Sequence, residues 1–104
     1  MKYVLPALMS LTLLTISPVS NAQDVSPLLQ KGGCIACHST DKKILGPAFK
    51  EISAKYKGKN ATADVLKRVK DGSSGVWGPM PMPANAGRLT DDEFKSVVGW
   101  ILSL

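Results

Sequence analysis

Two cysteines and a histidine stand together in the sequence CIACH, Cys34 to His38. Two thiols separated by two residues can form thioethers with the two vinyl groups of one porphyrin. The residue after the second cysteine then lies beneath the iron, where an imidazole is a good ligand. His38 is the only histidine in the chain. The motif therefore predicts one covalently attached haem c, with thioethers at Cys34 and Cys37 and with His38 as an axial iron ligand.

Two other kinds of cysteine site fit the sequence less well. A thiol–disulfide oxidoreductase would place its Cys-x-x-Cys motif near a βαβ pattern, and no strand pattern is found. A zinc site would need further Cys or His ligands, and the chain has only two cysteines and one histidine.

If the protein supplies a sixth iron ligand, it cannot be a second histidine, because the chain has only one, and methionine is the other common choice. Outside the first 22 residues the methionines are Met80 and Met82, both in the sequence VWGPMPMPAN. Three prolines make this stretch a stiff, extended loop. In a polyproline-like chain with about three residues per turn, positions two apart point in different directions. One methionine is therefore expected to face the iron, and the residues alone do not choose which.

The first 22 residues are predicted to be a secretory signal peptide. Lys2 gives a positive start, residues 3–16 are apolar, and Ser20 and Ala22 are the small residues that signal peptidase selects. The apolar run of 14 residues is shorter than the roughly 20 residues of a membrane-spanning helix. Cleavage after Ala22 is expected to leave residues 23–104 as one small exported domain without a membrane anchor.

The exported domain is basic. The chain has 13 Lys and Arg against 8 Asp and Glu, and loss of Lys2 with the signal peptide leaves a formal charge of +4. A basic surface attracts acidic partners, and Lys31, Lys42 and Lys43, near the CIACH motif, are candidate docking residues. No nucleic-acid-binding motif is present, so nucleic acid is not expected as a partner.

The rest of the domain has the pattern of an all-α protein. We predict four short helices: one from the cap pair Ser26-Pro27 to Gly32-Gly33, one over residues 48–57, one over 63–70 capped by Thr62, and one that begins with a capping box at residues 90–93. An apolar stripe marks the last helix: Phe94, Val97, Val98, Ile101 and Leu102. Residues 71–89 are predicted to form a long ordered loop.

Taken together, these motifs resemble the small class I bacterial cytochromes c of the cytochrome c-551 type. The resemblance covers nearly all of residues 23–104 and depends on KGGCIACH, ILGPAFKEISAKY, RVKDGSSGVWGPMPMPAN and the terminal WILSL. It implies an all-α class I cytochrome c fold, with about four short helices around one covalently attached haem. The family's loop pattern, W-G-P-x-P-M-P-x-N, implies that Met82 is the second axial ligand and that Met80 occupies the variable position.

The resemblance also implies roles for four residues near the haem. Pro47 matches the proline whose carbonyl accepts a hydrogen bond from the axial imidazole. Arg68 and Trp77 match donors to a buried haem propionate, and Asn85 matches the amide that hydrogen-bonds the methionine sulfur.

The function implied is that of a periplasmic electron carrier and not of an enzyme. The family carries electrons from membrane respiratory complexes, such as a cytochrome bc-type complex, to nitrite reductase or a cytochrome oxidase, and a monomer is expected. Partners of this kind would meet the basic protein through acidic docking surfaces. The alternative is a gas-binding or peroxidatic haem protein with an open sixth iron position, and this requires that neither methionine binds the iron.

Overall fold

The structure is a computed structural model that describes residues 2, 13–17 and 24–104. Within these residues it contains four α-helices: α1 (Ser26–Lys31), α2 (Phe49–Tyr56), α3 (Thr62–Asp71) and α4 (Asp91–Leu102). One 3-10 turn, Cys34–Ala36, lies between α1 and α2. Extended pairing in the described part of the chain is limited to two isolated bridges, His38 with Lys43 and Ser73 with Met82. The prediction of an all-α fold with four short helices is confirmed.

Helix α4 begins at the predicted capping box. The Thr90 hydroxyl accepts a hydrogen bond from the Glu93 amide at 3.2 Å, and the Glu93 carboxylate accepts one from the Thr90 amide at 3.0 Å. The bond from the Thr90 amide is the main reason that the pKa of Glu93 is lowered. The same carboxylate pairs with Lys31 at 2.9 Å, so the start of α4 is also tied to the end of α1.

Two other predicted helix starts are wrong by one residue. Thr62 is the first residue of α3 and not its cap, because the Ala61 carbonyl already accepts the Val65 amide at 2.9 Å. Ser26 is likewise the first residue of α1, and its amide donates to the Asp24 carboxylate at 3.0 Å. This bond lowers the pKa of Asp24.

Helix α4 packs against the other three helices and forms the centre of the core. Four residues of its predicted apolar stripe are buried: Phe94, Val97, Val98 and Ile101. The fifth, Leu102, is half-buried. Ser53, the polar residue on the inner face of α2, is buried, and its hydroxyl donates to the Leu104 carbonyl at 2.9 Å. Burial of this hydroxyl is therefore compensated, and it holds the chain end against α2.

The predicted signal peptide lies largely outside the described residues, and so does its cleavage site after Ala22. Residues 13–17 are described and are exposed. In residues 2, 13–17 and 24–104, no helix combines the length and the apolar character needed to cross a membrane.

Candidate functional site

A cavity of about 500 Å³ is lined by the CIACH segment, by the proline-rich loop and by the inner faces of the helices. This volume is in the range of small-molecule and cofactor sites. Apolar and aromatic side chains supply the helical wall: Phe49, Ile52 and Tyr56 of α2, Val65 and Val69 of α3, and Val97 and Ile101 of α4. The predicted site residues Cys34, Cys37, His38, Pro47, Arg68, Trp77, Met82 and Asn85 all line this one cavity, together with Met80.

The CIACH segment is folded into one tight turn. Gly33 precedes it with φ at 73°, in the left-handed region that glycine adopts without strain. The Cys34 carbonyl then accepts hydrogen bonds from the Cys37 amide at 3.2 Å and the His38 amide at 3.0 Å. Neither cysteine forms a disulfide, and both are partly buried against the cavity. Burial raises the pKa of the Cys34 thiol, and the nearby Arg88 guanidinium opposes that rise.

His38 is held on two sides. Its Nδ1 lies 2.7 Å from the Pro47 carbonyl oxygen, and because a carbonyl can only accept, Nδ1 carries the hydrogen and Nε2 keeps its lone pair for a metal. Its ring stacks on Phe49, with centroids 5.3 Å apart and planes 23° apart. The bond and the stacking together fix both the tautomer and the orientation of the imidazole.

Gly46 lies directly against the ring of His38, and the sequence did not identify it as a site residue. A Cβ at this position would lie 2.6 Å from Cε1 and 3.0 Å from Nδ1 of His38. Only a glycine therefore lets the chain pass beside the ring and deliver the carbonyl of Pro47. Its position directly before that proline was the only available signal.

The structure treats the two methionines differently. Ser73 and Met82 exchange two backbone hydrogen bonds, 3.0 Å from the Ser73 amide and 2.7 Å from the Met82 amide. Met82 is half-buried, whereas Met80 is 61% exposed. Met80 lies outside the helices, and its backbone forms no hydrogen bond with the backbone of any other described residue. The backbone of Met82 is thus fixed in place and that of Met80 is not.

Arg68 and Trp77 both line the cavity, and each contacts other side chains. The Arg68 Nε donates to Asp64 at 3.0 Å, and its Nη1 donates to the Ser73 hydroxyl at 3.3 Å. Trp77 is 38% exposed, and Lys55 lies over its ring at 5.1 Å from the centroid, a cation–π distance. Their predicted bonds to a haem propionate remain predictions.

Asn85 lies at the far end of the loop. Its side-chain amide donates to the Val69 and Pro83 carbonyls, each at 3.1 Å, and its backbone amide bonds the end of α3. These bonds occupy both hydrogens of the side-chain amide. The described contacts make Asn85 a tie between the loop and α3, and its bond to a methionine sulfur stays a prediction.

All charged side chains that line the cavity are cationic: Lys43, Arg68 and Arg88. Arg88, which the sequence reasoning did not select, lies so close to Gly33 that a Cβ there would be 2.7 Å from its Nη1. Of the three lysines predicted as docking residues, Lys31 is paired with Glu93. Within residues 24–104, neither Lys42 nor Lys43 nor Arg88 takes part in a salt bridge.

These features fit a covalently bound haem. Cys34, Cys37 and His38 all line one cavity, and its apolar walls suit a porphyrin plane. The cationic side chains would attract the two negatively charged propionates of the haem. Haem is therefore a chemically reasonable occupant of the residues present.

Comparisons with known proteins point the same way. A family model described as cytochrome c matches residues 22–104. The chain is 47% identical over 83 residues to cytochrome c-551 of Pseudomonas aeruginosa. The aligned region covers 79% of this chain and 78% of that protein. It is 46% identical over 84 residues to cytochrome c-552 of Nitrosomonas europaea, covering 80% and 81%.

A solved structure is similar over the same region. The crystal structure of wild-type Nitrosomonas europaea cytochrome c552 superposes with a TM-score of 0.72 at 44% identity, covering 76% of this chain and 98% of that one. Because the family match spans the CIACH motif, the cavity and all four helices, the chain belongs to the cytochrome c family, as a class I bacterial cytochrome of the c-551 type with one covalently attached haem c.

Proposed function

We propose that this protein is a periplasmic electron carrier in which His38 and Met82 bind the haem iron from its two sides. The observation that supports this most directly is that both side chains line one cavity, where the His38 ring is fixed by its hydrogen bond to Pro47 and the backbone of Met82 by two hydrogen bonds to Ser73. Two permanent protein ligands leave no position for a substrate. When bound, the haem supplies a reversible one-electron couple between ferric and ferrous iron.

The residues of the chain set the conditions for that couple. Hydrogen bonding to the Pro47 carbonyl makes His38 a more basic and better oriented ligand. A thioether at Met82 is soft and favours ferrous iron, which raises the reduction potential. With haem in the cavity, the apolar helical wall would keep water away from the iron. These effects favour a carrier that accepts and releases single electrons without chemistry on a bound molecule.

The cellular setting is proposed from the first 22 residues. Removal of this segment after Ala22 would release residues 23–104 into the periplasm as one domain. There the protein would carry electrons from membrane respiratory complexes to terminal reductases or oxidases, such as nitrite reductase. The family match begins at residue 22, close to the proposed cleavage point.

The experiment that tests the proposal is an absorption spectrum of the exported protein, taken oxidised, reduced, and reduced under carbon monoxide. We expect the spectrum of a c-type haem, with a methionine–iron band in the oxidised form and no change under carbon monoxide. Ready binding of carbon monoxide would mean an open sixth position, and it would replace the carrier by a gas-binding or peroxidatic protein. A spectrum without haem absorption would refute the proposal entirely.

We further propose that redox partners dock at the cavity edge through acidic side chains. Lys43 and Arg88 line the cavity, are exposed, and have no salt-bridge partner in the described chain. Five other basic residues are each paired with a carboxylate: Lys31, Lys50, Lys67, Arg68 and Lys70. Unpaired cations at the edge would orient an acidic partner toward the haem, and such interfaces set association rates more than affinity.

Charge reversal at Arg88 tests this docking surface without a known partner. We expect Arg88→Glu to slow electron exchange with anionic hexacyanoferrate by about threefold or more at low salt. The difference should shrink as salt rises, because the Debye length falls from about 30 Å at 0.01 M to about 10 Å at 0.1 M. Stopped-flow rates at several salt concentrations measure it.

Lys95→Glu is the matched control. Lys95 is exposed on α4 and does not line the cavity, so the same change of net charge is made away from the proposed edge. Equal slowing by the two variants would show that only the net charge matters, and it would refute the proposed docking surface.

A further inference from the structure

Gly72 ends α3 in a conformation that only glycine adopts readily. Its amide donates to the Arg68 carbonyl at 2.9 Å, which closes the helix. Its backbone then takes φ 87° and ψ 169°, a region essentially restricted to glycine. The chain therefore leaves the helix in a direction that another residue at this position would not give.

That direction brings Gly72 against the backbone of the methionine loop. A Cβ on Gly72 would lie 2.9 Å from the Met82 carbonyl oxygen, 3.0 Å from the Ala84 amide nitrogen and 3.3 Å from the Pro83 carbonyl carbon. All three are backbone atoms, so no side-chain rotation could relieve the contact. Because prolines flank Met82 on both sides, the loop is also stiff.

We infer that Gly72 is a positioning residue for Met82: by lacking a Cβ, it lets α3 abut the loop and hold the methionine sulfur at the iron. The two hydrogen bonds between Ser73 and Met82 are made by the residue that directly follows Gly72, so the close approach and the bonds act on the same backbone. The inference rests on the proposed ligation by Met82. The end of α3 then determines which methionine binds the iron, since Met80 has no comparable hydrogen bond or close backbone contact in the described chain.

The physical consequence concerns how often the sixth position opens. An external ligand such as imidazole binds the iron only when Met82 is away, so its apparent affinity scales with the open fraction. An added methyl group at Gly72 would displace the backbone of Met82 from its present position and increase that fraction. The iron–sulfur bond would weaken although neither ligand has been changed.

The test is Gly72→Ala in the haem-loaded protein, with imidazole as the probe. We expect a weaker methionine–iron band in the oxidised form and an imidazole affinity raised by about tenfold or more. Gly58→Ala is the control, since Gly58 also has a positive φ, 72°, and nothing lies within 4 Å of its Cβ position. An unchanged band and affinity in Gly72→Ala, or equal changes in both variants, would overturn the inference.

A double variant separates positioning from general destabilisation. If Gly72 acts through Met82, then adding Gly72→Ala to Met82→Ala should alter imidazole affinity by less than about twofold, because the ligand it positions is already gone. A tenfold gain in that background would show that the residue acts on the haem pocket by another route, and the inference would fail.

Ser73→Pro tests the hydrogen bonding that accompanies this close approach, and it is used if Gly72→Ala does not accumulate as a folded haem protein. It removes the amide that donates to the Met82 carbonyl, and the same weaker band and tighter imidazole binding are expected. A folded Ser73→Pro protein with a full band would overturn the inference. Failure of the ligation proposal would look different, since the band would then survive in Met82→Ala itself.

Discussion

Met82→Ala is expected to abolish the methionine–iron band of the oxidised protein and to let carbon monoxide bind the reduced form. The reason is that Met82 has the fixed backbone and the partly buried side chain of the pair. Its loss opens the sixth position permanently. If that position is open for less than about 1% of the time in the unmodified protein, imidazole affinity rises about a hundredfold or more. Imidazole titration and carbon monoxide spectra measure the change.

Met80→Ala is the matched control for this prediction. It removes the same side chain from the same loop, two residues away, at a position that is 61% exposed. We expect its band, its carbon monoxide behaviour and its reduction potential to match those of the unmodified protein. The opposite pattern, with the band lost only in Met80→Ala, would assign the ligand to Met80. Loss of the band in neither variant would contradict methionine ligation.

A lowered reduction potential should accompany Met82→Ala. Water or hydroxide in place of the thioether no longer favours ferrous iron, so the oxidised form gains stability relative to the reduced one. The oxidised Met82→Ala protein should also react with peroxide, since an open position admits it. The gas-binding or peroxidatic alternative is thus the expected behaviour of a variant and not of the protein itself.

Local chemistry made some parts of the site predictable from the sequence. CIACH is a contiguous motif whose spacing is set by the porphyrin, so no long-range contact is needed to recognise it. The start of α4 was predictable for a similar reason, because its capping box joins residues three apart. The apolar stripe of α4 then identified the core, since a helix buries what lies on one face.

Other parts of the site depend on contacts between distant segments and could not be predicted from local patterns. The spacing of Met80 and Met82 predicts that they point in different directions, but it does not show that Met82, and not Met80, is hydrogen-bonded to the residue after Gly72. Arg88 had no motif of its own, and its place beside Gly33 follows from the return of the chain toward α4. Gly46 resembled an ordinary loop glycine until its distance to the imidazole was known.

Phe49→Ala is expected to cost about 3–5 kcal/mol in the free energy of unfolding, the usual loss for a buried phenylalanine. Phe49 is 2% exposed, and its ring contacts His38 on one side and Trp100 edge-on at 5.5 Å. The loss is a large share of the roughly 5–15 kcal/mol that stabilises a typical domain. Guanidinium unfolding of the haem protein, followed by far-UV circular dichroism, measures it.

Phe94→Ala separates the contribution of Phe49 to the stability of the core from its stacking on His38. Phe94 is also 2% exposed and lies in the same core, but it does not line the cavity. We expect a loss of the same size, about 3–5 kcal/mol, with little change at the haem. In Phe49→Ala the imidazole loses the ring on which it stacks, so the ferric haem methyl NMR shifts, which report the orientation of the axial imidazole, should move. If both variants move these shifts equally, the stacking contact does not orient His38. If neither variant moves them, the hydrogen bond to Pro47 holds the imidazole without the Phe49 ring.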